Sequence, residues 1–345
     1  MSNVNIVRSL PEAEWRRFIE NNPNSNIFHT PEMFEVYASA KRHRPTLWAA
    51  INADGYTLAL LLPVQIFLMG GLMQYVTTRS IVYGSALWEQ GDEGEKALAL
   101  LLKSYAHDVD GLPLFTELRN LWDINAVLAP VFREQNFIYE EHLNYLIDLD
   151  RSFDEVFLAF RAGTQKKIRR GLSRGDIVVE EVKEREQVGG CYDLLSKTYQ
   201  NAQVPLADRS LFEAAFDVLH PKGMIRFTQA RIGESFAAAS VELLYKDVVY
   251  GWYGGMDRTY SSYVPNELLM WNILQWGVEK GYRVYDFGGA GKPDQEYGVR
   301  DFKAKFGGAL VNFGRYTCVH SPFLLHISTV GYNIVRKYFY NASFA

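Results

Sequence analysis

The sequence predicts an α/β (α+β) protein made of two similar units. The chain has 345 residues, which is more than one compact core usually takes. A strand meander, a helix and a strand occur in this order in the first half and again in the second. No linker rich in Pro, Gly or Ser separates the halves. We therefore expect two tightly packed domains, each a twisted mixed sheet flanked by helices.

The first half begins with two helices. Residues 9–12 have the pattern of a capping box, and the helix behind them places Trp15, Phe18 and Ile19 on one face. Residues 30–32, Thr-Pro-Glu, predict the second helix, because proline suits the first helical position and an acid suits the first turn.

Strands dominate the next part of the first half. The predicted meander, helix and final strand cover residues 46–53, 56–69, 72–77, 95–107 and 114–118. The helix is expected to turn Leu98, Leu101, Leu102 and Tyr105 inward. Residues 57–76 carry no charge and are long enough to span a bilayer. Pro63, Gln65 and the glycine pair at 70–71 favour two buried paired strands joined by a turn instead.

The second half repeats this order. A helix over residues 153–174 precedes it, and the boundary between the domains is predicted near residues 146–150. The repeated elements are three strands, a helix and a strand, over residues 225–232, 235–245, 248–254, 266–280 and 283–287. Gly281 is the expected C-cap of the helix.

Composition excludes several classes of protein. The formal net charge of −4 gives no global attraction to nucleic acid or to an anionic membrane, so a polyanion must meet a local patch. Cys191 and Cys318 are too few for a disulfide framework, and the seven histidines show no metal-ligand spacing. The first twenty residues lack a signal peptide. We expect a cytoplasmic protein without a transmembrane segment or a metal.

The first motif is a run of cations. Residues 161–174 contain six, and on a helix Lys166, Arg170 and Arg174 form one charged stripe at i, i+4 and i+8. Such a stripe suits the phosphates of a tRNA or of a pyrophosphate-bearing precursor. A solvated helix face explains the same pattern equally well.

The second motif joins a strand to a helix. Residues 250–257 end a strand at glycines, and residues 265–271 begin a helix with proline. A turn of this kind can bind the pyrophosphate of acyl-coenzyme A at the helix N-terminus. The connection has Arg258 as its only cation and no G-x-G, which weakens that interpretation. Core packing explains the aromatic residues of the motif as well.

The third motif is a glycine-rich turn over residues 286–292, followed by residues 302–308. The turn is neither a kinase triad nor a P-loop, because the partner motifs of both are missing. Lys303 and Lys305 alternate with Phe302 and Phe306. A lysine among aromatic rings can stabilise a developing oxyanion, although isolated lysines are more often surface charges.

Taken together, these residues resemble the FemABX-type family, the aminoacyl-tRNA-dependent transferases that build peptidoglycan bridges. The resemblance is specific over residues 153–308 and looser in the first half. It rests on FRAGTQKKIRRG at 160–171, YGWYGGMD at 250–257, PNELLMW at 265–271, YDFGG at 285–289 and GVRDFKAKFGG at 298–308.

The resemblance implies two tandem GNAT-like domains, the first over residues 1–147 with 318–345 and the second over 148–317. It implies transfer of an amino acid from a charged tRNA to an amine of a nucleotide- or lipid-linked envelope precursor, with no metal or cofactor. Acyl-coenzyme A is the alternative co-substrate. The long coiled-coil arm of some members is missing here, because residues 182–225 are too few for it.

Site residues follow from the same resemblance. Phe302 and Lys303 match a family pair that is catalytic or positions the tRNA end. Asp257 is a candidate base, whereas Asp286 is expected to be structural. Tyr253 and Arg209 match family residues near the phosphates of the precursor. The cation stripe, Lys166, Arg170 and Arg174, is expected to bind substrate on its charge alone. The family lysine that grips the precursor is missing after residues 30–31, and the nearest candidates there are Tyr37 and Lys41.

Two other functions stay open at the level of sequence. One is an acyl-coenzyme A-dependent N-acyltransferase of the same fold that acts on an envelope or polysaccharide sugar amine. The other is a non-catalytic module that binds the precursor or a tRNA, since a fold alone does not prove activity.

Overall fold

The computed structural model describes residues 4–67, 71–109 and 113–335. Its strands are β1 (Asn5–Val7), β2 (His43–Pro45), β3 (Trp48–Ile51), β4 (Thr57–Leu61), β5 (Pro63–Phe67), β6 (Thr78–Tyr83), β7 (Leu87–Trp88), β8 (Phe115–Arg119), β9 (Ile138–Glu140), β10 (Leu143–Asp148), β11 (Val178–Glu181), β12 (Ile225–Ile232), β13 (Ser235–Tyr245), β14 (Val248–Met256), β15 (Val284–Gly289), β16 (Ala309–Asn312) and β17 (Arg315–Val319).

The α-helices are α1 (Glu12–Asn21), α2 (Pro31–Ser39), α3 (Asp92–Asp108), α4 (Asn125–Glu134), α5 (Phe153–Leu158), α6 (Ala162–Arg174), α7 (Val188–Asn201), α8 (Arg209–Leu219), α9 (Pro265–Glu279), α10 (Gly298–Lys303) and α11 (Pro322–Val335). Among the described residues, no helix combines the length and the apolar character needed to cross a membrane.

The chain divides into two compact units, residues 1–141 with 313–345 and residues 142–312. β10 was predicted to end the first domain, but it hydrogen-bonds β15 and β16 and so belongs to the second unit. The predicted boundary at 317/318 cuts through β17, which pairs with β8 and β9 in the first unit. Strand pairing therefore moves both predicted boundaries toward the N-terminus.

The first unit contains two sheets. Their strand orders are β1-β3-β4-β7 and β2-β5-β6-β8-β17-β9. β6 and β8 pair in parallel, with α3 in the connection between them. The residues of α3 predicted to face inward, Leu98, Leu101, Leu102 and Tyr105, are all buried.

The meander predicted for residues 57–76 is only partly right. Residues 57–67 do form strands, but β4 and β5 lie in different sheets and do not pair with each other. Pro63, at the start of β5, lacks an N–H for a ladder, so the chain changes sheets there. The predicted strand at 72–77 is a 3₁₀ helix, Gly71–Val76. Gly70, part of the predicted turn, lies outside the described residues.

The helix starts in this unit follow local rules with one exception. Thr30 caps α2 through a hydrogen bond from the Met33 amide, and Pro31 occupies the first position, as predicted. The capping box predicted at residues 9–12 is wrong, because Pro11 precedes α1 and provides no side-chain cap. The predicted inward face of α1 is nevertheless buried.

The second unit is built on one sheet of order β11-β12-β13-β14-β15-β10-β16. Adjacent residues of β12 show its two faces: Arg226 lies 4.4 Å from the ring of Trp276 on α9, while Phe227 packs against Phe216 on α8. β14 and β15 pair in parallel and are joined through α9. The order predicted for this half, three strands, a helix and a strand, is confirmed.

The predicted helix over residues 153–174 is interrupted. α5 ends at Leu158 and α6 begins at Ala162, with Arg161 extended between them. The amide of Arg161 donates to the carbonyl of Lys305 at 2.9 Å, which joins this break to the segment behind α10. This hydrogen bond therefore connects the N-terminus of α6 to the third motif, which contains Lys305.

Glu242 is a charged residue inside the apolar core beneath α9. Its side chain is fully buried, and the Ser240 hydroxyl donates to one carboxylate oxygen. The other oxygen has no hydrogen-bond partner within the described part of the chain. Burial raises the pKa of Glu242 to about 7, although the guanidinium of Arg226 acts in the opposite direction.

This pKa predicts how stability depends on pH. From pH 4.5 to about 7, native Glu242 keeps a proton that the unfolded chain releases, so the free energy of unfolding falls as pH rises. The loss amounts to about 3 kcal/mol for a shift of this size. Glu242→Gln should flatten that part of the profile in urea unfolding followed across pH. The control is Glu234→Gln, at a fully exposed position, which should leave the pH dependence unchanged. The same pH dependence of the unfolding free energy in wild type and Glu242→Gln would contradict the raised pKa of Glu242.

Candidate active site

The parallel strands β14 and β15 diverge soon after they meet. They pair at only three positions, the last being Tyr250 with Asp286. Beyond it, β14 stays with β13 as far as Met256, while β15 stays with β10 as far as Gly289. The carboxyl ends of the two strands therefore border an opening in the sheet, which is where α/β proteins commonly place ligands.

β14 is irregular at the edge of this opening. Val241 of β13 faces Tyr253 and Glu242 faces Gly251, so Trp252 is the extra residue of a β-bulge. A Cβ atom at Gly251 would lie 2.7 Å from the hydroxyl oxygen of Tyr285. Glycine is therefore required where β14 starts to leave β15.

β15 ends in a turn held by a buried carboxylate. Asp286 Oδ1 accepts hydrogen bonds from the Gly288 amide at 2.7 Å and from Asn144 Nδ2 at 3.3 Å. Gly288 has φ of +68°, which favours glycine. Burial raises the pKa of Asp286 to about 6, against the opposing effects of the Gly288 amide and the Lys303 charge. The predicted structural role of Asp286 agrees with these contacts.

Lys303 closes the same turn from α10. Its Nζ donates to the carbonyl oxygens of Phe287 at 2.5 Å, Gly288 at 3.2 Å and Gly289 at 2.8 Å. An ammonium group has three protons, and all three are used here. Burial lowers the pKa of Lys303 to about 8. In this arrangement the ammonium has no proton left for a substrate oxyanion, so it shapes the end of β15 rather than contacting the reacting atoms.

The neighbours of Lys303 in the third motif have different surroundings. The ring of Phe302 is half-buried and packs edge-on against Phe306, with centroids 5.1 Å apart. Lys305 Nζ lies 5.5 Å from the Phe302 ring and 4.0 Å from the carboxylate of Glu267. Of the two lysines, only Lys303 contacts the strand end.

Asp257 caps a 3₁₀ helix, Arg258–Tyr263, that follows β14. Its Oδ1 accepts from the amide and the hydroxyl of Thr259 at 3.0 and 2.7 Å. These hydrogen bonds lower the pKa of Asp257, and a weaker base accepts a proton less readily. The structure thus gives Asp257 a capping role and argues against the predicted role as a base.

Tyr253 and Arg209 both lie on the α7–α8 side of the sheet. The Tyr253 ring is 4.7 Å from Phe212 of α8 and 5.9 Å from Tyr199 of α7. Arg209 begins α8 and donates to Glu213 at 2.8 Å. Both predicted substrate-binding residues therefore lie on the side of the sheet that α7 and α8 cover, and Tyr253 adjoins the bulge of β14.

The predicted cation stripe lies on the outer face of α6. Lys166, Arg170 and Arg174 are exposed, whereas Ile168 and Gly171 on the opposite face are buried. Arg174 is engaged with Asp176 at 2.7 Å. For Lys166 and Arg170, the described residues provide neither a hydrogen bond nor an ion pair. Two cations of the stripe are thus available to an external anion.

The two candidates in the first unit have unlike positions. Tyr37 is buried and stacks on Tyr83 and His43, with ring centroids 5.6 and 5.8 Å apart. The ring is enclosed in the core, and its role in binding a precursor stays a prediction. Lys41 is exposed just beyond the end of α2.

The N-terminus of α9 differs from a phosphate-binding helix end. Pro265 occupies the first position and provides no N–H, and Glu267 places a carboxylate in the first turn. Glu267 lies 3.7 Å from Lys167 and 4.0 Å from Lys305. A protein carboxylate thus occupies the region where a helix dipole would attract a phosphate.

Sequence reasoning did not single out Glu242. A single acid in an apolar strand is common, and only the register shows that this one faces Gly251 at the start of the opening. Among residues 4–67, 71–109 and 113–335, no three His, Cys, Asp or Glu side chains are grouped closely enough to hold a metal ion.

Comparison with known proteins adds the family context. Residues 159–303, which include α6, the opening and Lys303, match the family described as the acetyltransferase (GNAT) domain. A curated relative, lipid II:glycine glycyltransferase of Staphylococcus haemolyticus (strain JCSC1435), is 21% identical over 391 residues, covering 89% of this chain and 90% of its own length.

Solved structures agree in fold across both units. The crystal structure of FemX has a TM-score of 0.70 at 15% identity and covers 94% of this chain and 99% of its own. A tandem GNAT protein from the clavulanic acid biosynthesis pathway has a TM-score of 0.59 at 11% identity, covering 93% and 99%. The predicted resemblance to the FemABX-type acyltransferases is thus confirmed, and the chain has the fold of two GNAT-like domains.

Proposed function

We propose that this protein transfers an aminoacyl group from a charged tRNA to an amine of a lipid II-type cell-envelope precursor. The observation that carries the proposal is the opening between β14 and β15, bordered by a turn that Lys303 holds in place. The curated relative, named as a glycyltransferase acting on lipid II, supports both the aminoacyl donor and the envelope acceptor.

The start of α9 favours tRNA over acyl-coenzyme A as the donor. Glu267 would repel a pyrophosphate at that helix end, and Pro265 withholds one amide. The free cations Lys166 and Arg170 suit a phosphate backbone instead, since they lie on one exposed face of α6.

The reaction requires a neutral amine to attack the ester carbonyl of the donor. A C–N bond forms, the ester C–O bond breaks, and the amine proton ends on the departing ribose oxygen. We propose that the leaving group accepts this proton with assistance from the substrate, because hydrogen bonding lowers the pKa of Asp257. Lys303 acts as a positioning residue by holding the carbonyls of Phe287 to Gly289 in register.

A reducing cytoplasm is the compartment that we propose for this reaction. Cys191 and Cys318 are both free and buried, and no oxidising chemistry is required of either. Charged tRNA is available in the same compartment.

A donor screen tests the function. Purified protein is incubated with tRNAs charged with single amino acids, or with acyl-coenzyme A species, and with lipid II or its soluble nucleotide-linked precursor as acceptor. We expect an amide product from a charged tRNA, detected by mass spectrometry as a mass increase of one amino-acid residue. Product from acyl-coenzyme A alone would assign the coenzyme A-dependent alternative, and binding of both substrates without product would indicate a non-catalytic module.

Lys303→Ala should lower kcat/KM by roughly a hundred-fold, a size typical when loss of a supporting contact misplaces the reacting groups by about 1 Å. The carbonyls at the end of β15 lose their donor, and the opening loses its shape. Lys305→Ala is the matched control and should be milder, since that ammonium does not contact β15. Lys303→Arg should restore only part of the activity, because a planar guanidinium cannot bring three protons on one nitrogen to this turn. Equal turnover by wild type and Lys303→Ala would contradict this role.

The double change Lys166→Glu and Arg170→Glu should weaken binding of charged tRNA. Losing two phosphate contacts should also reduce the slope of log K against log salt by about 2. Lys96→Glu with Lys103→Glu on α3 is the control, with the same change in net charge at exposed positions of the first unit. Fluorescence anisotropy measures both variants; equal affinity for the two would show that the stripe is only a solvated helix face.

A further inference from the structure

A strained residue follows the strand that borders the opening. Val264, which joins the 3₁₀ helix Arg258–Tyr263 to α9, has φ of +56°. Of the described residues with positive φ other than glycine, Val264 alone is β-branched, and branching at Cβ makes this conformation an outlier. Pro265 adds to the strain, because a residue before proline favours an extended backbone. Such strain persists only where other contacts hold it, and it is typical of functional sites.

The 3₁₀ helix before Val264 has few ties to the rest of the second unit. We call residues 258–263 the β14–α9 segment. Among the residues that the structure describes, one hydrogen bond joins this segment to another helix or strand: Arg174 Nη1 donates to the carbonyl oxygen of Ser262 at 3.3 Å. The strained conformation of Val264 is therefore held in part by a side chain at the end of α6.

Arg174 makes two further contacts. Its guanidinium carbon lies 4.7 Å from the centroid of the Tyr263 ring, within cation–π distance. Its Nε donates to Asp176 Oδ2 at 2.7 Å, which orients the guanidinium. The hydrogen bond to Ser262 is exposed and longer than the usual separation of about 2.9–3.0 Å, so it is easier to break than the bond to Asp176.

Arg174 is also the third residue of the cation stripe on α6. Lys166 and Arg170 precede it at intervals of four residues, which is about 6 Å along the helix axis for each interval. A polyanion that contacts those two cations therefore reaches the Arg174 guanidinium next. A phosphate oxygen is charged and accepts a stronger hydrogen bond than a neutral peptide carbonyl. Phosphate at this end of the stripe competes with Ser262 for Nη1.

We propose that Arg174 is a positioning residue: a substrate phosphate on α6 draws its guanidinium away from Ser262 and Tyr263, and the β14–α9 segment then moves about Val264. The inference deepens the proposed function and rests on it for the source of the phosphate. The segment continues the strand that borders the opening, so its movement changes the entrance for the donor. Movement also relieves the strain at Val264, which favours it once the Arg174 contacts are lost.

Hydrogen exchange measured by mass spectrometry tests the proposal without turnover. Exchange of the backbone amides over residues 257–264 is followed in the full chain alone, with unfractionated tRNA and with acetyl-coenzyme A. We expect roughly tenfold faster exchange in wild type when tRNA is bound, because the segment is released. Arg174→Ala should show the fast exchange without any anion and no further increase with tRNA. Exchange within α6 should be the same in both proteins.

Asp176→Asn is the matched control. It removes the ion pair of Arg174 but leaves both contacts to the β14–α9 segment, so its exchange should match wild type. Arg174→Lys separates charge from geometry, because lysine keeps the cation but lacks the planar fork that serves Asp176 and Ser262 together. It should bind tRNA as wild type does and still show the fast exchange.

A substitution at the strained residue tests its part in the movement. Asparagine tolerates the left-handed region better than valine, so Val264→Asn removes much of the strain while the contacts of Arg174 stay in place. We expect a smaller increase in exchange with tRNA than in wild type. An increase as large as that of wild type would overturn the role of Val264 as the hinge.

The remaining outcomes separate this inference from the proposed function. Slow exchange in Arg174→Ala, or wild-type exchange that neither tRNA nor acetyl-coenzyme A changes, would overturn the role of Arg174. A response to acetyl-coenzyme A and none to tRNA would refute the proposed donor while the role of Arg174 stands. Release that depends on Arg174, in a protein inactive with every donor and acceptor, would likewise refute only the proposed function.

Discussion

The direction in which β15 leaves the sheet depends on one buried ammonium group. Lys303 donates all three of its protons to consecutive carbonyls at the end of the strand, in a site where burial lowers its pKa to about 8. Burying a charge is costly unless every donor finds a partner, so the ammonium and the three carbonyls stabilise each other only in this geometry. The shape of the opening beside β14 follows from that contact.

Two buried carboxylates flank the point where the parallel strands part. Asp286 is the last residue of β15 that pairs with β14, and Glu242 faces Gly251, the first residue of β14 beyond that pairing. Burial raises the pKa of both. Perturbed carboxylates often cluster at functional sites, and here the same low-dielectric surroundings would strengthen every polar interaction of a substrate in the opening.

A chain with a negative net charge can meet a polyanion only through a local cationic surface. The second unit offers the exposed cations of α6, because the buried face of that helix leaves its charged face outward. Net charge therefore says little about the partners of this protein.

The sequence by itself determined the order of the elements and many of their limits. The strands predicted at 225–232 and 235–245 coincide with β12 and β13, and the inward residues of α3 are those expected, because periodicity reflects neighbours one pleat or one turn away. It also identified the motif around Lys303 through family resemblance. Only the tertiary structure decided that Lys303 serves three carbonyls and that Tyr37 is enclosed. Those outcomes depend on which distant segments folding brings against each side chain, and local pattern does not encode that.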